Sequence, residues 1–385
     1  MSIKESIMLF LGYFLRWTGF PVEPTLIKIG NLTSESPVLL TCNFNLTVKR
    51  VLKAIKNLDC YLLVAPSRGI NVWCGACGGD FHTDAVLSII KTSGIDDFVS
   101  HRTLILPQLS APGIDPIVIK KKTGWEIKFG PVYAKDIPSF IKQKFSKSEA
   151  QRIVRFPISH RVEMATLYFF ILILFVSAIY WIAAIFLPIL NLLLYLDTIL
   201  IFVIIIYGSM ILLPSIPTET GKIKGWIYEG IILLIITLFN LFIIFDLFYL
   251  MWNIIFSLLI TMIMTEDLHG LTPIYKSELG EKTWKKGEEK MKFLFGEYKL
   301  QPYGQISIER EKCIGCKVCI EVCPRNLYVF NDKDNKVDLK NLEKCINCNA
   351  CVKRCLAKCL EIMKNLILPK NYMENHSDGF NRKIK

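Results

Sequence analysis

Thirteen cysteines carry most of the chemistry available to this 385-residue sequence. Eight of them form two runs with the spacing C-x2-C-x2-C-x3-C, namely Cys313, Cys316, Cys319 and Cys323, then Cys345, Cys348, Cys351 and Cys355. The other five are Cys42, Cys60, Cys74, Cys77 and Cys359. Two tight repeats of this kind indicate metal ligation in a reducing compartment rather than a framework of disulfides.

The two runs have the spacing of bacterial ferredoxins, in which the first three cysteines of a run bind one [4Fe–4S] cluster and the fourth binds the other. We therefore expect cluster one at Cys313, Cys316, Cys319 and Cys355, and cluster two at Cys345, Cys348, Cys351 and Cys323. Zinc takes four ligands per ion at looser spacing, so it fits these repeats less well. The sequence predicts an α+β 2[4Fe-4S] ferredoxin domain over 305–366, in which Cys359 is a buried spare thiol.

The N-terminal part alternates short apolar runs with helix-like stretches. Strands are predicted at 38–40, 61–64, 104–106 and 117–119, and helices at 48–56 and 83–91. This alternation predicts a Rossmann-like α/β domain with a mostly parallel sheet covered on both faces. We place the domain at 23–148 and expect Cys42 and Cys60, on its strands, to be inert core thiols.

A long apolar segment separates the two ends of this multidomain chain. Hydrophobic residues make up 52% of the sequence and the mean hydropathy is +0.38, which is high for a soluble protein. After a basic linker at 149–163, an α-helical transmembrane bundle is predicted over 164–265, with four spans at 164–187, 190–213, 226–245 and 247–265. The net charge of +12 reflects Lys and Arg next to these spans, which indicates a bilayer rather than nucleic acid as the partner.

Loop charges predict the orientation of the spans. Lys222 and Lys224 lie in the loop at 214–225, whereas the turns at 187–191 and around Asp246 carry no Lys or Arg. By the positive-inside rule, both ends of the membrane segment then face the cytoplasm. We expect a multi-pass plasma-membrane protein with its N-terminal and ferredoxin domains cytoplasmic.

Three further segments complete the predicted organisation: an amphipathic helix within 1–22, a linker at 266–304 and a disordered tail at 367–385. Asp197, Glu229 and Asp246 lie in or beside the spans. A charged group in such a place is often functional. Because each lies close to the end of a span, we interpret all three as anchoring or packing residues rather than as an ion path.

One segment, Asn71-Val72-Trp73-Cys74-Gly75-Ala76-Cys77-Gly78-Gly79-Asp80-Phe81-His82-Thr83-Asp84, reads as a Gly-rich turn that follows a strand and opens a helix. It resembles the Asn-Val-Trp-Cys-Ala-Ala-Gly-Lys cap-helix motif of the corrinoid protein of mercury methylation, a family related to the corrinoid iron–sulfur proteins of acetyl-CoA synthesis. The resemblance continues at 37–43, at 101–113 and at 130–136. That family's usual partner is a separate two-cluster ferredoxin, which this chain would carry fused.

The resemblance implies a cobalamin-type corrinoid on the α/β domain, with the Cys74 thiolate as the lower axial ligand of cobalt and thus as the catalytic residue. The cofactor-binding residues that it implies are Thr41, Asn71, Val72, Trp73, Cys74, Gly75, Ala76, Cys77 and Gln108. It also implies methyl transfer to Hg(II) or another soft acceptor, with a methyl donor protein or a methylated pterin as the source. Ferredoxin clusters near about −400 mV, fed by a low-potential electron donor, would return the cobalt to Co(I).

The motif also departs from that family. Gly75, Cys77 and Gly78 stand where the family has Ala, Gly and Lys, so a positive charge is lost and a second thiol is gained. Taken alone, residues 73–77 form the W-C-G-x-C pattern of a thioredoxin-like dithiol oxidoreductase that uses Cys74 and Cys77.

Two other hypotheses remain open at the level of sequence. The chain could be a membrane-tethered iron–sulfur electron-transfer protein whose N-terminal domain is only a docking platform. A zinc site could also form from Cys74, Cys77 and His82 with Cys42 or Cys60. We expect His82 and His101 to be structural, hydrogen-bonded residues.

Overall fold

The computed structural model describes residues 21–155, 157–212, 215–216, 221–267, 291–293, 296–298, 305–340, 342, 345 and 348–363. The helix expected within 1–22 lies almost entirely outside the described residues, and the tail expected at 367–385 lies wholly outside them. The expected linker at 266–304 is described only in part.

Over the described residues 21–155, the N-terminal part of the chain has a five-stranded sheet and six α-helices. Its elements are β1 (Thr25–Ile29), β2 (Val38–Cys42), α1 (Asn45–Ile55), β3 (Cys60–Ala65), α2 (Val72–Gly78), α3 (Thr83–Ser93), β4 (Thr103–Leu106), α4 (Pro116–Thr123), β5 (Glu126–Phe129), α5 (Ile137–Lys142) and α6 (Glu149–Arg152). The strand order is β1-β3-β2-β4-β5. All neighbours pair in parallel except β1, which lies antiparallel to β3 at one edge. The predicted α/β class with a mostly parallel sheet is therefore confirmed.

Burial on both faces explains why the central strands are apolar throughout. Every residue of β2 and β3 is buried. On one face, Leu39 and Leu62 pack with α1 and α5, and on the other, Leu40 and Leu63 pack with α2 and α3. A sheet covered on both sides needs continuous apolar runs rather than alternation. Cys42 and Cys60 are fully buried on these strands, as predicted.

The strand predicted at 117–119 is wrong, because these residues lie in helix α4. Asp115 caps the helix by accepting from the backbone N–H groups of Ile117 (3.0 Å) and Val118 (3.4 Å), and Pro116 occupies the first turn. Gly124 ends it with φ +77°, donating to the Lys120 carbonyl. A three-residue β-branched run is too short to outweigh helix signals at both ends. Two strands, β1 and β5, were not predicted.

Four apolar helices follow: α7 (Ile158–Phe186), α8 (Leu192–Leu212), α9 (Gly221–Phe239), which continues through a π-helical turn at Asn240–Ile244, and α10 (Leu247–Asp267). Within the described residues, three stretches are long and apolar enough to cross a membrane by length and composition: Ile158–Phe186, Leu192–Leu212 and Gly225–Ile244. The fourth helix adds a shorter apolar stretch, Leu247–Met262. Four helices thus occupy the four predicted spans, and three of them have full spanning length.

The helices turn apolar side chains outward and polar ones inward. Phe175 is 64% exposed and Ile185 76% exposed, whereas Glu229 is 1% exposed. Both carboxylate oxygens of Glu229 accept hydrogen bonds across the α9–α10 contact, from Ser257 Oγ and Thr261 Oγ1, each at 2.5 Å. The bonds to two hydroxyls support the packing interpretation of Glu229.

The C-terminal domain repeats a strand, a short helix and a strand. Its elements are β8 (Gln305–Ile308), α11 (Val318–Val322), β9 (Tyr328–Asn331), β10 (Lys336–Leu339), α12 (Ala350–Arg354) and β11 (Leu360–Met363), preceded by a hairpin of β6 (Met291–Phe293) and β7 (Gly296–Tyr298). β8 pairs antiparallel with β11, and β9 with β10. The arrangement is ferredoxin-like, as predicted.

Candidate functional site

Four of the predicted ligands meet in one cavity. Cys313, Cys316, Cys319 and Cys355 line it, together with Cys359. The Sγ of Cys359 lies 3.4 Å from that of Cys355. Burial, followed by the charge of Cys316, raises the pKa of Cys319 to about 12. Four cysteines around one cavity match the thiolate donor set of an iron–sulfur cluster, so the residues fit iron. We call this cavity site one.

The other four predicted ligands form a second group, site two. Cys351 lies near Cys323 and Cys345, and Cys348 lies near Cys351 and Cys323. Cys323, Cys345 and Cys351 are buried. In each group the fourth cysteine comes from the other run, which agrees with the predicted crossed assignment.

The same backbone conformations recur in both cysteine runs. Lys317 and Asn349, each just after the second cysteine of its run, have φ near +60° and begin α11 and α12. Asn326 and Lys358, three residues after the fourth cysteine, also have positive φ. Such residues reverse the chain direction within one residue, so that successive cysteines face a common centre. Sequence spacing alone does not reveal these residues.

Helix α2 presents the thiols of the Trp-Cys motif. The Asn71 side chain caps it by accepting from the Cys74 backbone N–H (3.0 Å), and Gly79, with φ +94°, ends it. Val72, Gly75 and Ala76 face the domain, Cys74 is exposed and Trp73 is half-buried. The helix follows β3, at the edge where the carboxyl ends of the parallel strands meet, which is where α/β domains of this type bind ligands.

The second thiol of the motif differs from the first. Cys77 is half-buried, and burial, followed by the charge of Cys74, raises its pKa to about 12. It therefore stays protonated at neutral pH. Cys77 lies near Lys353 and Cys348 of the ferredoxin-like domain.

Thr41 and Gln108 both lie at the carboxyl ends of strands, but their side chains are engaged differently. Thr41 is 1% exposed, and its hydroxyl has no hydrogen-bond partner in the described part of the chain. The Gln108 amide is engaged at both ends, donating to the Arg152 carbonyl (2.9 Å) and accepting from Lys147 Nζ (3.1 Å). An exposed thiol and an unpartnered hydroxyl at this edge fit a bound cofactor. Gln108 instead holds the linker.

His101 and His82 both have partners within the N-terminal domain. His101 Nε2 is hydrogen-bonded to the Ser36 carbonyl at 3.0 Å, and His82 lies 4.0 Å from Asp84. Among the described residues, no three His, Cys, Asp or Glu side chains are placed to hold a single metal ion. The zinc hypothesis for Cys74 and Cys77 is therefore not supported. A cubane cluster differs, because each of its cysteines binds a separate iron.

The N-terminal and ferredoxin-like domains contact each other, which sequence reasoning missed. Val154 N donates to the Pro324 carbonyl, and Arg325 Nη1 donates to the Val154 carbonyl, both at 2.8 Å. The further contacts are Lys147 with Glu321 (3.7 Å), Arg354 with Asp115 (3.4 Å), and Asn326 with Glu149. Buried apolar residues form one continuous cluster across the contact.

Comparison with known proteins finds similarity in the N-terminal and in the ferredoxin-like domain. Residues 18–141 match the family model of the CO dehydrogenase/acetyl-CoA synthase delta subunit, and residues 305–356 match that of the 4Fe-4S dicluster domain. Curated relatives include the acetyl-CoA decarbonylase/synthase complex subunit gamma of Methanopyrus kandleri, 34% identical over 125 residues (32% of this chain, 27% of the relative). The subunit of the same name from Methanocaldococcus jannaschii is 37% identical over 128 residues (33% of this chain, 26% of the relative). The chain thus spans about a quarter of the length of these relatives.

Proposed function

We propose that this chain is a membrane-anchored, corrinoid-dependent methyltransferase-like protein with two [4Fe–4S] clusters that supply its low-potential electrons. The observation that carries the proposal is the exposed Cys74 thiol on helix α2, at the carboxyl edge of a sheet whose domain matches the delta-subunit family. The eight cysteines gathered into two groups of four support the clusters.

Three residues of this chain have distinct roles in binding the corrinoid. Cys74 would bind the cobalt through sulfur, since it is the exposed thiol of α2, and Asn71 fixes the first turn of that helix. Thr41 offers an unpartnered hydroxyl at the same edge of the sheet. When bound, a corrinoid would supply a cobalt-borne methyl group that leaves with both bonding electrons, and the cobalt would then need two low-potential electrons to become Co(I) again. A thiolate ligand donates electron density strongly, which favours release of the methyl group to an electrophile.

The substrates follow from this chemistry. A methyl group released with both bonding electrons reacts with a soft metal ion, and we propose Hg(II) or another soft acceptor. A methyl donor protein or a methylated pterin would restore the methyl group, and an external low-potential donor would supply electrons. The three full-length apolar helices and the fourth, shorter one support a plasma-membrane anchor.

Cobalt analysis tests the proposal. The full chain, purified without oxygen, should contain cobalt equimolar with protein and a corrinoid absorption band. Cys74→Ala should lower the affinity for the corrinoid by about tenfold or more and shift the band, because a metal ligand is lost. Cys77→Ala on the same helix is the matched control and should keep both. Wild-type protein with full iron and no cobalt would overturn the proposal.

A dithiol oxidoreductase is the second candidate, and one observation favours it. An exposed Cys74 and a half-buried, protonated Cys77 three residues later are arranged like a nucleophilic and a resolving thiol. This candidate predicts that Cys74→Ala and Cys77→Ala both abolish thiol–disulfide exchange. It also predicts cobalt-free protein, so the cobalt measurement separates the two candidates.

A further inference from the structure

The contacts between the two soluble domains are concentrated around the ligands of site two. On the ferredoxin side, Glu321, Pro324, Arg325 and Asn326 flank Cys323 in sequence, and Arg354 lies between Cys351 of site two and Cys355 of site one. Most of these contacts therefore come from residues next to Cys323, which belongs to site two. The domain therefore presents the surroundings of site two to the N-terminal domain.

On the N-terminal side, the contacts come from the linker and from the edge that carries α2. Glu149 and Val154 belong to the linker, Lys147 lies just before it, and Asp115 is the N-cap of α4. Cys77, on α2, lies near both Lys353 and Cys348. Site two thus faces the helix that carries Cys74.

The charges in this contact are buried but compensated. The side chains of Lys147 and Arg354 are 5% and 12% exposed, and each faces a carboxylate. Arg325 is 7% exposed and donates to a backbone carbonyl. Buried charges are costly unless paired in good geometry, so they favour one docked orientation over alternatives.

Site one is partly exposed to solvent, because Cys316, one of its four ligands, is exposed. Cys323, Cys345 and Cys351, three of the four ligands of site two, are buried. An electron donor in solution therefore reaches site one more readily than site two.

From this placement we propose that electrons enter the chain at site one and leave it at site two. Lys147 and Arg354 hold site two against the helix that carries Cys74 and Cys77. The proposal rests on the proposed function. In each step one electron passes from an external low-potential donor protein to the cluster at site one. One electron then passes from there to the cluster at site two, and one from site two to the oxidised cobalt, so two such passages would be needed to bring Co(III) to Co(I). No proton or group is transferred.

The docking itself is tested on cluster-loaded, corrinoid-free full chain by alkylation of thiols and mass spectrometry. In the wild type, Cys77 should react about tenfold or more slowly than Cys74, because the docked domain covers it. In Lys147→Glu with Arg354→Glu, like charges face Glu321 and Asp115, so Cys77 should react severalfold faster than in the wild type. The matched control, Lys333→Glu on the exposed β9–β10 turn, should behave as the wild type. Unchanged Cys77 reactivity in the double variant would overturn the docking.

The exit at site two is tested by the magnetic interaction between a reduced cluster and paramagnetic cobalt. Cys316→Ala disables site one and Cys348→Ala disables site two, and both remove the second cysteine of a run. The iron content of each variant verifies the loss of one cluster. The cobalt signal should stay broadened in Cys316→Ala and lose its broadening in Cys348→Ala, and the reverse result would overturn the proposal. If Cys348→Ala fails to fold, the double docking variant replaces it and should lose the broadening. Cobalt-free wild type would defeat the proposed function, while the alkylation result would still decide the docking.

Discussion

At the level of single residues, helix α2 is held close to the domain because Gly113 has no side chain. A Cβ at this position would lie 2.3 Å from the Phe81 carbonyl oxygen, and 2.9 and 3.0 Å from backbone atoms of Ala76. Backbone atoms cannot rotate away as the end of a side chain can. The position of Cys74 therefore depends on a glycine that is distant in sequence.

Gly113→Ala should displace α2, lower the stability of the domain by about 1–3 kcal/mol through overpacking, and reduce bound cobalt. Chemical denaturation and cobalt analysis measure the two effects. Gly78→Ala, on α2 itself, is the control, because its Cβ would make only an ordinary 3.6 Å contact with Asp80 Oδ2. Equal behaviour of the two variants would show that α2 does not rest on Gly113.

At the level of elements, the segment after α5 couples the N-terminal and ferredoxin-like domains through the buried ammonium group of Lys147. Burial lowers the pKa of Lys147 to about 8, although the neighbouring Glu321 opposes this shift. An unfolded lysine titrates near 10.5. Between these two values the unfolded chain binds more protons than the folded chain, so stability rises with pH in this window.

As the pH rises from about 8 to about 10.5, the free energy of unfolding of the wild type should therefore increase relative to that of Lys147→Met, by at most about 3 kcal/mol. Unfolding is followed by the loss of cluster absorbance, and the denaturation midpoint is measured for both proteins at each pH. Because other groups titrate in the same range, the difference between the two midpoints is compared across the pH range. Lys333→Met, which removes an exposed lysine, should follow the wild type. A wild-type advantage that stays constant with pH would contradict the buried position of Lys147.

The elements also show what sequence patterns can and cannot predict. Regular spacing predicted the cysteine groups, and apolar runs predicted β2, β3, β4 and the four apolar helices, because these patterns are local. The run at 117–119 was misassigned because a cap and a C-terminal glycine outweighed its β-branched residues. The partners of Gln108 and the docking of the ferredoxin-like domain depend on residues far apart in sequence, and no local pattern marks them.

At the level of the whole molecule, the contact between the soluble domains restricts the path of the chain through a membrane. Val154 and Pro324 are hydrogen-bonded to each other, yet they flank the four apolar helices on opposite sides in sequence. In the membrane-anchored arrangement that we propose, two domains in contact lie on the same side of the bilayer, so the number of crossings between them is even. Three crossings do not meet this condition, and we propose that α10 crosses as well.

With four crossings, the turn between α7 and α8 lies on the side of the membrane opposite to both soluble domains. A membrane-impermeant maleimide added to intact cells should label Ile189→Cys, in this turn, at the introduced thiol. It should label Lys333→Cys, on the ferredoxin-like domain, only after the cells are broken, and mass spectrometry separates these sites from native cysteines. Labelling of both variants from outside would place the ferredoxin-like domain outside the cell. Labelling of neither before the cells are broken would show that the turn does not cross.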